Sequence, residues 1–206
     1  MGNEEVLSVS AVILVCNGKF CSIAGDTRCM SYKDEEKVLS NKFHKVFKLN
    51  ANVIYGVTGQ FYQSSDLRPF KYRPINDQNF YIEDAVLWVK QWRQTQKNLP
   101  PLTFFLAGKG RPGKIAGAIL SFSAGSRECK SDLYVPGDKE YWVRCSAPNS
   151  SDEKIKSILY NKIEKTMPYP TVEILTAHMK NAIKDISKID RTVNSNIEVQ
   201  TISPLY

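Results

Sequence analysis

The apolar positions of this chain change period several times, and each change marks an element. Residues 9–16 are almost continuously apolar and rich in β-branched side chains. Asn17-Gly18 follows, a pair favoured in two-residue type I′ turns, and 20–25 return as a second apolar run. Neither run alternates with polar residues, so the pattern predicts a hairpin buried on both faces. After a mostly polar stretch, 31–41, two short strands are expected at 45–49 and 53–57. Residues 62–67 could make a turn or two of helix before Pro69 and Pro74 stop it. Ile82, Ala85, Val86, Val89 and Trp92 recur at helical spacing, and Pro100-Pro101 ends that stretch. Strands are then expected at 102–106 and 114–122, joined by a turn over 108–113, with shorter ones at 133–135 and 141–145. Ser150 and Glu153 stand at capping-box spacing before a helix with Ile155, Ile158, Leu159 and Ile163 on one face. A last helix carries Val172, Leu175, Met179, Ala182, Ile183 and Ile186. In the closing strand, 197–202, Ile197, Val199 and Thr201 alternate with Glu198 and Gln200.

Strands and helices thus come in blocks rather than in alternation. That order argues against a doubly wound parallel sheet and for an α+β fold, with helices layered on largely antiparallel sheets. No repeat, linker or low-complexity tract interrupts the chain, so one domain is expected over 1–206, with 1–8 as a short N-terminal extension.

Composition narrows the function classes. At 42% hydrophobic and 24% charged residues, with 11 Gly and 10 Pro, the chain can bury a full core and is neither collagen-like nor disordered. The longest strongly apolar run, 11–16, has six residues, whereas a membrane-spanning helix needs about 20. No membrane partner is expected. The net charge of +7 is spread evenly over the two halves, unlike the patch or arm of a nucleic-acid binder. The acidic start, Met1-Gly2-Asn3-Glu4-Glu5, is unlike a secretory signal. Five cysteines (Cys16, Cys21, Cys29, Cys129, Cys145) form no Cys-x-x-Cys pair, and His44 and His178 are far apart. Neither a metal nor a cofactor is expected; buried free thiols in a reducing compartment fit better. Gly108-Lys109-Gly110-Arg111-Pro112-Gly113-Lys114 imitates a phosphate-binding loop. Ile115 stands where that loop needs Ser or Thr, and a strand follows where it needs a helix, so a hairpin turn is the better reading.

The opening segment has a more specific character. Residues 11–28, AVILVCNGKFCSIAGDTR, resemble the start of a proteasome beta subunit: a strand, a tight turn, then a strand ending in small-small-Asp-x-Arg. Lys45-Val46-Phe47-Lys48-Leu49 resembles the Lys-containing third strand of that family, with Lys42 a second candidate for the Lys. Tyr55-Gly56-Val57-Thr58-Gly59 resembles its glycine segment, Leu106-Ala107-Gly108 and 121–126 its later strand ends, and 182–202 its closing helix, turn and strand. The resemblance is weak between 60 and 101, where Pro69, Pro74 and Asn79 suggest a shortened first helix.

The resemblance implies a four-layer αββα sandwich of two antiparallel sheets, the N-terminal-nucleophile hydrolase fold. Active members of that family cut peptide bonds with a Thr, Ser or Cys exposed by processing. The new α-amine accepts the hydroxyl proton, a Lys keeps the potential positive, an Asp orients that Lys, and backbone amides near a glycine hold the oxyanion. By resemblance Asp26 matches the Asp, Lys45 the Lys, Gly59 the oxyanion glycine and Asp190 the Asp of the last turn. Family spacing places the nucleophile at Ser10, with Ser8 as the alternative, and Val193 and Asn194 stand where the family has Ser and Gly. The resemblance therefore implies a non-catalytic, structural beta-type subunit of a proteasome-like particle. Its partners would be other alpha and beta subunits, in cytoplasm and nucleus. An active hydrolase using a processed Ser, or a free-standing binding protein, are the alternatives. For the Asp26 and Lys45 that the resemblance matches, the plainer reading is a buried ion pair stabilising strand ends.

Overall fold

The structure is a computed structural model, and it describes residues 7–9, 11–31, 37–61, 78–137, 139–146, 157, 158, 161 and 171–203. The first apolar run does not form one strand. It splits into β1 (Leu7–Val9) and β2 (Val12–Cys16), which belong to different sheets. β2 turns back through β3 (Cys21–Asp26), and both are buried along their whole length, as expected. The turn differs from the expected type. Among the described residues φ is positive only at Gly59, Gly113 and Gly125, so Gly18 is not left-handed. Instead the Asn17 side chain builds the turn: its Oδ1 accepts from the Lys19 N–H at 2.9 Å and the Phe20 N–H at 2.8 Å. Asn17→Ala leaves both donors without that acceptor, and a loss of about 1–2 kcal/mol in urea unfolding is expected.

Two further strands were not expected from the sequence: β4 (Cys29–Ser31), just ahead of the mostly polar stretch, and β5 (Val38–Ser40), within it. After them come β6 (Val46–Lys48) and the nine-residue β7 (Val53–Phe61). Helix α1 (Ile82–Thr95) is followed by β8 (Leu102–Lys109), β9 (Ile115–Phe122), β10 (Cys129–Tyr134) and β11 (Trp142–Ser146). Helix α2 (Val172–Ser187) and β12 (Ile197–Ile202) close the chain. Ser157, Ile158 and Asn161 are helical, in agreement with a helix around 155–163, whereas its capping pair Ser150 and Glu153, and the turn expected at 62–67, lie outside the described residues.

The strands form two antiparallel sheets. The larger runs β10-β9-β8-β7-β1-β4-β5, with β6 also on β7; the smaller runs β11-β2-β3-β12. One edge of β7 serves two partners: Ile54, Tyr55 and Gly56 pair with β6, and Gly59, Gln60 and Phe61 pair with β1. The turn expected over 108–113 is a hairpin turn and spans 110–114, because β8 runs on to Lys109; it is closed by Gly110 N–H to the Lys114 carbonyl and turned at Gly113 with φ +79°.

Three apolar layers hold four structural layers together. Ile82, Ala85 and Val89 of α1 pack on Val57, Phe104 and Leu120 of the large sheet. Leu14, Ile23, Ile54 and Phe105 fill the space between the sheets. Ile13, Val15 and Ala24 meet Leu175, Met179 and Ile183 of α2 on the far side. The order is helix, sheet, sheet, helix, which is the αββα sandwich. β2 is apolar on both faces for this reason: its odd and even positions belong to different layers. Residues 7–61 are thus divided between the sheets, with β2 and β3 in the small one and β1, β4, β5, β6 and β7 in the large one.

Candidate functional site

Asp26 is the last residue of β3, and Lys45 immediately precedes β6 on the other sheet. Gly25 lets the two approach. A Cβ there would meet Val46 Cγ2 at 2.9 Å and the Lys45 Cβ at 3.5 Å. Lys45 is fixed from its backbone as well, through its carbonyl, which accepts from the Val57 N–H at 3.0 Å. The Lys45 ammonium reaches Asp26 Oδ1 at 2.6 Å, with both side chains fully buried. Lys42 is exposed, so Lys45 is the residue that meets Asp26.

The carboxylate is held on every side. Oδ1 also accepts from the Ala11 N–H at 2.9 Å, and Oδ2 accepts from the N–H groups of Arg28 (2.9 Å) and Asn194 (3.2 Å). Three backbone donors and one ammonium compensate a charge that burial would otherwise make costly. Burial pulls the Lys45 amine below its ordinary value, and the Asp26 charge and hydrogen bond oppose that pull without cancelling it.

A polar collar surrounds the pair. Asn194 Nδ2 donates to Thr27 Oγ1 (3.2 Å) and Asn41 Oδ1 (3.3 Å), and its Oδ1 accepts from the Thr27 N–H at 3.1 Å. Thr27 Oγ1 donates to the Asn41 carbonyl at 2.7 Å. Arg28 Nε donates to Asn41 Oδ1 at 3.0 Å, and Arg28 also donates to the Arg191 carbonyl. Asn41 gives no sign of this role in the sequence, because it sits in a polar stretch with no periodicity.

The other sequence-predicted residues fall around this centre. Asp190 is buried and accepts at Oδ1 from Thr192, from the N–H at 2.9 Å and from Oγ1 at 2.6 Å. It shapes the turn that delivers Asn194. Val193 is buried in the apolar layer beneath α2. Gly59 lies on β7 opposite Val9 and Leu102, with φ +119°. The backbone of Ser8 is in β1, opposite Met30 of β4 and Gln60 of β7. Ser10 lies outside the described residues. Residues 7–9 therefore run as an interior strand of the large sheet, in register with a neighbour on each side. Among the described residues, no three His, Cys, Asp or Glu side chains converge as a metal group would require.

The sequence matches no family model and no curated protein. Solved structures do resemble the chain. One is eukaryotic HslV from Trypanosoma brucei: the match covers 95% of this chain and all of that one, with a TM-score of 0.59 and 16% identity. HslV has the N-terminal-nucleophile hydrolase fold, and the likeness is one of fold. Two antiparallel sheets with helices on their outer faces define that class, and this chain shares it.

Proposed function

We propose that this chain is a structural, non-catalytic beta-type subunit of a proteasome-like protein-degrading particle, packed against other alpha and beta subunits. One observation carries the reading: residues 7–9 are woven into the large sheet between β4 and β7. A working N-terminal nucleophile needs a free α-amine at position 10 to take the hydroxyl proton. Here that position continues from a strand paired on both sides, and the next amide, of Ala11, is committed to Asp26. The surroundings agree. Val193 has no group to relay a proton, and Asn194 spends its polar atoms on Thr27, Asn41 and Asp26. Asp26 and Lys45 then serve as an internal brace between the two sheets rather than as an activated pair.

The test is intact and native mass of the protein purified from its own cell. The expected results are a chain that keeps Leu7, Ser8 and Val9, and migration in a particle of several hundred kilodaltons. A mature chain starting at Ser10 or Ser8 would instead mark a hydrolase that uses that serine. A retained segment on a monomer would mark a free-standing binding protein.

A further inference from the structure

Cys16 and Cys21 end β2 and begin β3, and the register sets them directly opposite one another. The hydrogen-bond pattern fixes the type of pair. Asp26 N–H donates to the Ala11 carbonyl at one end of the hairpin, and Asn17 N–H to the Phe20 carbonyl at the other. Pairs 11/26 and 17/20 are therefore the hydrogen-bonded kind, and 16/21, one step in from the turn, is the non-hydrogen-bonded kind. Cα atoms of such pairs lie about 4.5 Å apart, with side chains on the same face. A disulfide spans Cα separations of roughly 4.4–6.8 Å. Both side chains point into the layer between the sheets. The other cysteines have different partners in register: Cys29 faces Val9 and Ser40, Cys129 faces Phe122, and Cys145 faces Ile13.

We infer that Cys16 and Cys21 are a redox modification site, a cross-strand dithiol that a small-molecule disulfide such as glutathione disulfide converts to an intramolecular bond. One cysteine thiolate attacks a glutathione sulfur and displaces a glutathione thiolate. The second cysteine then displaces the remaining glutathione, closing the bond between Cys16 and Cys21. Two electrons pass to the oxidant, and the two thiol protons end on the two glutathione molecules released. Both thiols are fully buried, and burial together with the neighbouring Cys21 thiol pushes the Cys16 thiol well above its usual pKa. The closed hairpin is therefore inert, and reaction proceeds through fraying of its turn end, where Gly18 is half-buried and Lys19 exposed. The site is independent of the assembly reading above and of any catalytic role.

Lys19 makes the test direct, because trypsin cuts between the two cysteines. The full-length native protein is incubated with glutathione disulfide, alkylated in denaturant and digested without reductant. A second sample is refolded from urea in the same mixture. In at least one sample, the peptide ending at Lys19 and the peptide from Phe20 to Arg28 are expected as one linked species, which dithiothreitol separates. Cys21→Ser is expected to abolish it. Recovery of both cysteines alkylated in both samples, as separate glutathione adducts, or linked to Cys29, Cys129 or Cys145, overturns the assignment.

Discussion

Lys45→Met is expected to lower stability by about 3–5 kcal/mol in urea unfolding, the range for breaking a buried pair by removing one partner. The substitution keeps the volume of the side chain but leaves Asp26, fully buried, without the ammonium at 2.6 Å. The three backbone donors remain, so the carboxylate stays hydrogen-bonded and only its charge goes uncompensated. Adding Asp26→Asn removes that charge and should recover part of the loss. Recovery is incomplete because an amide nitrogen cannot accept from the backbone donors on its side. The pH dependence has a defined sign. Burial holds the Lys45 amine below 10.5 in the folded chain, so just below that pH the unfolded chain binds more protons. The contribution of this group to stability then rises with pH through that window and is lost as pH falls through the folded pKa. Unfolding midpoints of wild type and Lys45→Met, compared across that window, should diverge in favour of wild type. Equal stability of the two proteins at neutral pH would show that the pair does not brace the fold.

Gly59→Ala is expected to cost on the order of 3 kcal/mol or more, from a backbone conformation that L side chains rarely adopt together with a steric clash. The φ of +119° is strained for any residue with a side chain, and an added Cβ would lie 2.3 Å from the Pro101 carbonyl oxygen. That oxygen also accepts from the Gln60 N–H at 2.9 Å, so it cannot withdraw without losing a bond of the sheet. The expected readout is the unfolding midpoint, and an unchanged midpoint would mean that the β7–β8 backbone relaxes around the methyl group.

Much of this architecture could be read from the chain before its coordinates. Runs such as 11–16 and 20–25 are apolar on both faces because the small sheet is covered on both, a direct imprint of the layers. The stripes of α1 and α2 mark the outer layers in the same way. Short strands left no such imprint. Cys29–Ser31 and Val38–Ser40 are three residues long, too few for a period to show, and β5 lies at an edge where polar residues are tolerated. The break between β1 and β2 was also hidden, because Val9 and Val12 are both apolar residues although their strands belong to different sheets. At the site, Asp26 and Lys45 could be paired in advance only through family resemblance. Among the described residues, three backbone amides hold the Asp26 carboxylate, and amides carry no residue signature. Asn194 looked like a departure from a family pattern and proved to be a tie between the closing turn and the β3 terminus.

The small sheet joins segments distant in sequence: β12 lies beside β3, with Ile202 opposite Cys21 and Ile197 opposite Asp26. During synthesis the hairpin of β2 and β3 emerges early, yet the β3 edge stays open until residues 197–202 have been made. The amide of Asn194 reaches Asp26 equally late. A nascent chain stalled anywhere before that point presents an apolar, unpaired strand edge with an incompletely caged acid beside it, which is the kind of surface that chaperones hold and quality control degrades. Closure of the ion-pair cage thus waits on a residue 168 positions beyond Asp26.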